Sequence, residues 1–139
     1  MKHLRIASRP CEAERIHKAV LPELARHGYT AEAQFAVRLA LDEALANAIS
    51  HGNHQDPAKQ VTVDCTIDDE EAVLSVEDEG RGFDPRQVPD PTLDENLEKP
   101  HGRGIMLMRA YMSRVSFNKA GNCVTMVKQR SCRRPQEMA

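Results

Sequence analysis

Residues 31–52 read AEAQFAVRLALDEALANAISHG, and this stretch decides the fold. Apolar side chains surround most of the circumference of a helix built on it, so we predict a largely buried helix. Thr30 precedes the stretch as an N-cap, and the helix is expected to end at about His51 or Gly52. The apolar residues of this helix are Phe35, Val37, Leu39, Leu41, Leu45 and Ile49.

One stripe of this helix is polar, because Glu43, Asn47 and His51 are spaced four residues apart and stack on one side. Ala36 and Ala40 extend the stripe with small side chains that leave room for a ligand. A carboxylate and a carboxamide that project from a buried helix cost free energy unless a partner satisfies them. The stripe alone fits either a ligand site or a solvated helix face.

Periodicity predicts the elements on both sides of this helix. Gly28 ends the preceding helix, as a helix stop does. The order of elements predicts an α/β two-layer sandwich, in which a mixed, mostly antiparallel sheet is covered on one face by three helices. The predicted elements are a strand over 2–7, a helix over 12–27, strands over 61–67 and 72–78, a helix over 104–112, and strands over 115–117 and 123–127.

Length and composition limit the possible classes of protein. The 139 residues are enough for one domain over residues 1–130, followed by a flexible tail over 131–139. A net charge of −2 argues against direct nucleic-acid binding, and no apolar run approaches the roughly 20 residues of a membrane span. Residues 1–10 lack the apolar core of a signal peptide, so we expect a cytoplasmic protein with reduced cysteines.

A second group of polar and small residues, Asp78-Glu79-Gly80-Arg81-Gly82, lies at the end of a predicted strand. The carboxylate of Asp78 can accept a hydrogen bond from an exocyclic amine such as that of adenine. Gly80 and Gly82 permit close approach of the backbone to a ligand. The same letters are also ordinary turn chemistry, so this motif alone is weak.

A third motif, His101-Gly102-Arg103-Gly104, precedes the predicted helix over 104–112. Glycines before a helix N-terminus expose N–H groups that can bind phosphate, and Lys99 and Arg103 add cations suited to a terminal phosphate. A flexible linker is the alternative. The preceding residues 83–100 hold four of the eight prolines, and a loop of this length is usually functional or disordered.

Taken in order, the three motifs resemble the N, G1 and G2 boxes of the GHKL superfamily of ATP-binding proteins. Residues 39–52, 78–85 and 121–128 are most similar to bacterial anti-sigma factor serine/threonine kinases, and the resemblance covers roughly residues 5–129. It implies the Bergerat fold of histidine-kinase-like ATPases. The sequence departs from the family at Asn122 and Cys123, where a Thr usually follows the glycine of the last hairpin.

The resemblance implies a role for each motif residue. Glu43 would be the general base, Asn47 the Mg²⁺ ligand and Asp78 the residue that recognises adenine. Residues 83–100 would be the lid over ATP. The glycines that would shape the nucleotide pocket are Gly80, Gly82, Gly102 and Gly104.

Two functional hypotheses follow. The first is an ATP- and Mg²⁺-dependent kinase that phosphorylates an anti-anti-sigma (STAS) protein and binds a sigma factor or an equivalent regulator. The second is a non-catalytic nucleotide-binding module that sequesters a protein partner. Relatives in this branch commonly dimerise, so a homodimer is expected in either case.

Overall fold

One layer of the molecule is an antiparallel sheet. The computed structural model describes residues 2–53, 56, 58–80 and 100–130, with only the backbone described at 51 and 100–105. Five strands lie in these ranges: β1 (Lys2–Ala7), β2 (Gln60–Ile67), β3 (Glu71–Glu77), β4 (Arg114–Phe117) and β5 (Cys123–Gln129). Their spatial order is β1-β2-β3-β5-β4, and each of the four pairings is antiparallel, where a mixed sheet was expected.

The second layer is helical. The described ranges contain three α-helices: α1 (Ala13–Arg26), α2 (Ala31–Ala46) and α3 (Pro100–Tyr111). Gly28 has a φ of +81°, a conformation that favours glycine, and it follows α1 as predicted. Thr30 caps α2, since its hydroxyl accepts a hydrogen bond from the Ala33 N–H at 3.1 Å. The predicted two-layer α/β sandwich is therefore confirmed.

Two helix boundaries differ from the sequence predictions by more than two residues. Helix α3 begins at Pro100, four residues before the expected Gly104. Proline suits a first helical position because its φ is already helical and it has no N–H to leave unpaired. After α2 the chain continues as a π-helical segment, Asn47–Gly52, rather than as further α-helix. The Asn53 N–H closes that segment by donating to the Ala48 carbonyl, five residues back, at 2.8 Å.

The core fills the space between the two layers. Helix α2 supplies Val37, Leu41 and Leu45, which are at most 1% exposed. Phe35 departs from the expected burial, because its side chain is 59% exposed. It packs edge-on against Tyr111 of α3, with ring centroids 6.3 Å apart, so this turn of α2 is covered on one flank only. Among the described residues, no helix is long and apolar enough to span a bilayer.

Candidate nucleotide site

The acid and the amide of the first motif lie one helical turn apart. Glu43 is in the last turn of α2, and Asn47 is the first residue of the π-helical segment. Both residues are partly buried, and neither side chain has a hydrogen-bond partner in the part of the chain that the structure describes. Burial, and to a smaller extent the charge of Asp42, raises the pKa of the Glu43 carboxyl. Such a carboxylate is suited to accept a proton.

Asp78 follows directly after β3, which ends at Glu77, one residue before the predicted strand end at residue 78. Its Oδ1 accepts a hydrogen bond from the Gly80 N–H at 2.7 Å, while Oδ2 accepts none from the described residues. Burial raises the pKa of this carboxyl, and the hydrogen bond from Gly80 opposes that shift. Within the described ranges, the carboxylate therefore has one oxygen without a hydrogen-bond donor.

The main chain of Asp78 is fixed by the turn between β4 and β5. Its N–H donates to the Asn122 carbonyl at 2.9 Å, and Asn122 Nδ2 donates back to the Asp78 carbonyl at 3.3 Å. Asn122 is one of the two residues at which the sequence departs from the resemblance. Its amide is thus engaged with the backbone of Asp78.

Gly52 joins the first motif to the second. A Cβ placed on Gly52 would lie 2.2 Å from Asp78 Cγ, and a Cβ placed on Gly80 would lie 2.2 Å from the Gly52 carbonyl oxygen. Both distances are far below van der Waals contact, so neither position has room for a side chain without movement of its neighbour. The end of the π-helical segment therefore packs directly against the Asp78 turn.

The third motif lies in the first turns of α3. The helix contains Gly102 as well as Gly104, because it begins at Pro100 and not at the expected Gly104. The first N–H groups of a helix have no partner within it, so Gly102 still belongs to the turn that can bind an anion. Helix α2 packs along α3, and the π-helical segment also contacts α3.

Several predicted site residues cannot be placed. Gly82 and Lys99 lie outside the described residues, as does the expected lid except for Pro100. Arg103 belongs to α3, but its side chain is not among those described. The described residues bring Gly52 against Asp78 and Gly80, and Glu43 and Asn47 precede Gly52 on α2 and its π-helical extension.

Sequence reasoning missed two residues next to this site. Gly52 was expected only as the end of a helix, whereas its missing side chain permits the contact with Asp78. Asn53 received no role, yet it is completely buried. A Gly-Asn pair at the end of a helix is an ordinary stop signal, so local pattern alone gave no reason to single it out.

Comparisons with known proteins identify the family and the fold of the chain. The chain matches the family of histidine kinase-like ATPase domains over residues 6–128. In fold, it is similar to a Mycobacterium tuberculosis structure of RsbU and RsbW domains, with a TM-score of 0.57 and 21% sequence identity. That match covers 97% of this chain and 34% of the other.

The chain is also similar to several curated anti-sigma factors and protein kinases. The anti-sigma F factor of Oceanobacillus iheyensis is 32% identical over 101 residues, which cover 68% of each chain. The serine/threonine-protein kinase BtrW of Bordetella bronchiseptica is 32% identical over 98 residues, again 68% of each chain. The serine-protein kinase RsbW of Bacillus subtilis is 30% identical over 112 residues, 74% of this chain and 69% of that one. The chain therefore belongs to the histidine kinase-like ATPase domain family, and it is similar there to anti-sigma factors and serine-protein kinases.

Proposed function

We propose that the protein is an ATP-dependent serine/threonine protein kinase that acts as an anti-sigma factor or a similar partner-switching regulator. The observation that carries the proposal is the contact of Gly52 with Asp78. It ties the helix bearing Glu43 and Asn47 to the turn that bears the base-recognition carboxylate. One bound nucleotide can then meet all three side chains.

Asp78 is proposed to recognise the base of ATP. Its Oδ1 is occupied by the Gly80 N–H, and Oδ2 accepts the exocyclic amine of adenine. Guanine and hypoxanthine carry a carbonyl at that position, which would face a carboxylate and repel it. The site therefore favours ATP over GTP and ITP.

Glu43 is proposed to act as the general base. The hydroxyl oxygen of a serine in the partner attacks the γ-phosphorus of ATP, and the bond from that phosphorus to the bridging oxygen breaks. The serine proton passes to the Glu43 carboxylate, and ADP leaves with the electron pair of the broken bond. The raised pKa of Glu43 matches this role, because a stronger base accepts the proton more readily.

Asn47 is proposed as a ligand of Mg²⁺. Its amide is partly buried and has no hydrogen-bond partner among the described residues, and a carboxamide oxygen is a hard donor of the kind that Mg²⁺ binds. When bound, Mg²⁺ would neutralise negative charge on the phosphates. Gly102 in the first turn of α3 adds a backbone N–H group for the same phosphates. Gly104 and Gly82 are proposed to permit close approach of the backbone, and Lys99 and Arg103 to supply cations.

The proposed protein partners come from the names of the relatives. The chain is similar to an anti-sigma F factor and to the serine-protein kinase RsbW. By analogy, this chain phosphorylates a STAS-type anti-anti-sigma protein and binds a sigma factor or equivalent regulator. Phosphorylation of the anti-anti-sigma protein leaves the kinase free to bind its sigma partner. We place the protein in the cytoplasm, as a homodimer.

Incubation of the purified chain with γ-labelled ATP, Mg²⁺ and a STAS-domain protein from the same organism tests the proposal. We expect labelled phosphoserine in the STAS protein and none in a variant whose acceptor serine is replaced by alanine. Failure of the chain to bind ATP in calorimetry would refute the nucleotide site itself. Binding of ATP and of the STAS protein without transfer would favour the non-catalytic module instead.

A further inference from the structure

Asn53 is the most completely enclosed polar side chain next to the site, with no exposed surface. Its Nδ2 donates to Ser8 Oγ at 2.9 Å and to the Gln60 carbonyl at 3.0 Å. Its Oδ1 accepts from the Glu79 N–H at 2.8 Å. Both hydrogens and one of the two lone pairs of the amide oxygen are therefore used, so neither polar atom of this buried carboxamide lacks a partner.

These bonds connect four segments of the chain. Ser8 follows β1, Gln60 begins β2, Glu79 lies in the turn after β3, and Asn53 directly follows the π-helical segment. Ser8 is itself buried and donates to the Lys59 carbonyl at 2.8 Å, so the junction contains a second satisfied polar group. The turn after β3 is thus held to the sheet and to the helical layer at one point.

The junction lies one residue away from the contact that defines the nucleotide site. Asn53 is the chain neighbour of Gly52, and its hydrogen-bond partner Glu79 is the chain neighbour of Asp78. The two segments therefore run side by side with two links across them. One link is the packing of Gly52 on Asp78, and the other is the hydrogen bond from Glu79 to Asn53.

We propose that Asn53 is a positioning residue for nucleotide binding, which acts through Asp78. By holding the Glu79 amide, it fixes the turn so that the Asp78 carboxylate stays against Gly52 and presents Oδ2 to the adenine amine. Loss of the Asn53 amide removes the partner of the part-buried Glu79 N–H, and the turn moves to solvate that group. This inference rests on the proposed function.

The test is calorimetric binding of ATP and of ITP, each with Mg²⁺, to the full chain and its variants. ITP lacks the exocyclic amine, so the ratio of the ATP affinity to the ITP affinity reports the Asp78 contact. General damage to the scaffold would instead lower both affinities by the same factor. We expect the preference for ATP to fall by about tenfold in Asn53→Ala. Gln34→Ala is the matched control, because Gln34 donates its side-chain amide to the Tyr29 carbonyl at the far end of α2.

A double-mutant cycle with Asp78→Asn decides whether the effect passes through Asp78. In that background, we expect Asn53→Ala to leave the ratio of ATP to ITP affinity unchanged. An unchanged ratio of ATP to ITP affinity in Asn53→Ala, whether or not the binding of both nucleotides is weakened, would overturn the positioning role. A further fall in the ratio in the Asp78→Asn background would overturn it as well.

Ser8→Ala keeps the inference testable if Asn53→Ala does not fold. It removes one acceptor from the Asn53 amide and leaves the bond to Glu79, so we expect a shift in the same direction of about threefold. An unchanged ratio in folded Ser8→Ala would then overturn the proposal. Absence of ATP binding in the unaltered chain is a different result, since it would refute the proposed function itself.

Discussion

Gly52 and Asp78, which lie on different layers of the fold, are packed so closely that a Cβ on Gly52 would lie 2.2 Å from Asp78 Cγ and 2.3 Å from Oδ2. A nucleotide site assembled from a helix end and a strand end needs such a contact, because each segment could otherwise move independently of the other. The absence of a side chain at residue 52 therefore permits the Asp78 carboxylate to lie against the helix end.

Gly52→Ala should lower ATP affinity about tenfold or more, since the new methyl group must displace the Asp78 carboxylate. Titration calorimetry with Mg²⁺ and ATP measures the change. Gly28→Ala is the control, because its φ of +81° strains an alanine by about 1 kcal/mol at a position remote from the site. It should lower thermal stability and leave ATP affinity unaltered. Similar affinities for Gly52→Ala and the unaltered chain would contradict the contact.

Glu43→Ala should retain ATP binding and reduce phosphate transfer to the STAS partner by about 10²–10⁴-fold, the range typical of a lost general base. The measurement is the rate of phosphoserine formation at saturating ATP, beside a binding isotherm. Glu32→Ala is the matched control, since Glu32 is an exposed acid in the first turn of the same helix. Unchanged transfer in Glu43→Ala would remove Glu43 from the mechanism.

Asn47→Ala should weaken ATP binding in the presence of Mg²⁺ by about tenfold and leave binding in EDTA unchanged. The difference arises because the amide oxygen would contact the metal and not the nucleotide itself. Calorimetry with and without Mg²⁺ separates the two contributions, and Gln34→Ala supplies an amide control. Equal losses under both conditions would argue that Asn47 serves the fold or the nucleotide directly.

The phosphate-transfer rate should fall as the pH is lowered through the raised pKa of Glu43, which lies above the ordinary 4.5. The base is active only when deprotonated, so the acid limb of the rate profile follows this group. Asp42 contributes to the shift, and Asp42→Asn should move the limb to lower pH. Profiles recorded at saturating ATP exclude effects on binding, and an unmoved limb would show that the Asp42 charge is not felt at Glu43.

Asp78→Asn should raise the melting temperature at pH 7 while it lowers ATP affinity by roughly 10–100-fold. Burial raises the pKa of Asp78 in the folded state, so the charged form is disfavoured by folding. This penalty is present above the raised pKa and is relieved as the pH falls through it. The stability gain of Asp78→Asn should therefore shrink on acidification, as melts at several pH values would reveal. A lower melting temperature at pH 7 would contradict the assignment.

Much of the fold could be predicted because it depends on short-range periodicity. The apolar pattern of α2 and the alternation of β2 each report which side of an element is buried, and Thr30 marks a helix start through its own hydroxyl. The chemical character of Glu43 and Asp78 could also be inferred from residue type and position. All of these signals extend over a few residues, so they can be interpreted without knowing which distant residues pack against them.

The sequence by itself determined the elements, their order and the residue types that a nucleotide site requires. Only the tertiary structure decided that the end of α2 widens into a π-helical segment, that Gly52 packs on Asp78, and that Asn53 is buried. The last two of these features depend on partners many positions away, such as Ser8 for Asn53. Periodicity reports that a face is covered but not by which residue, so contacts between distant segments appear only once the chain has folded.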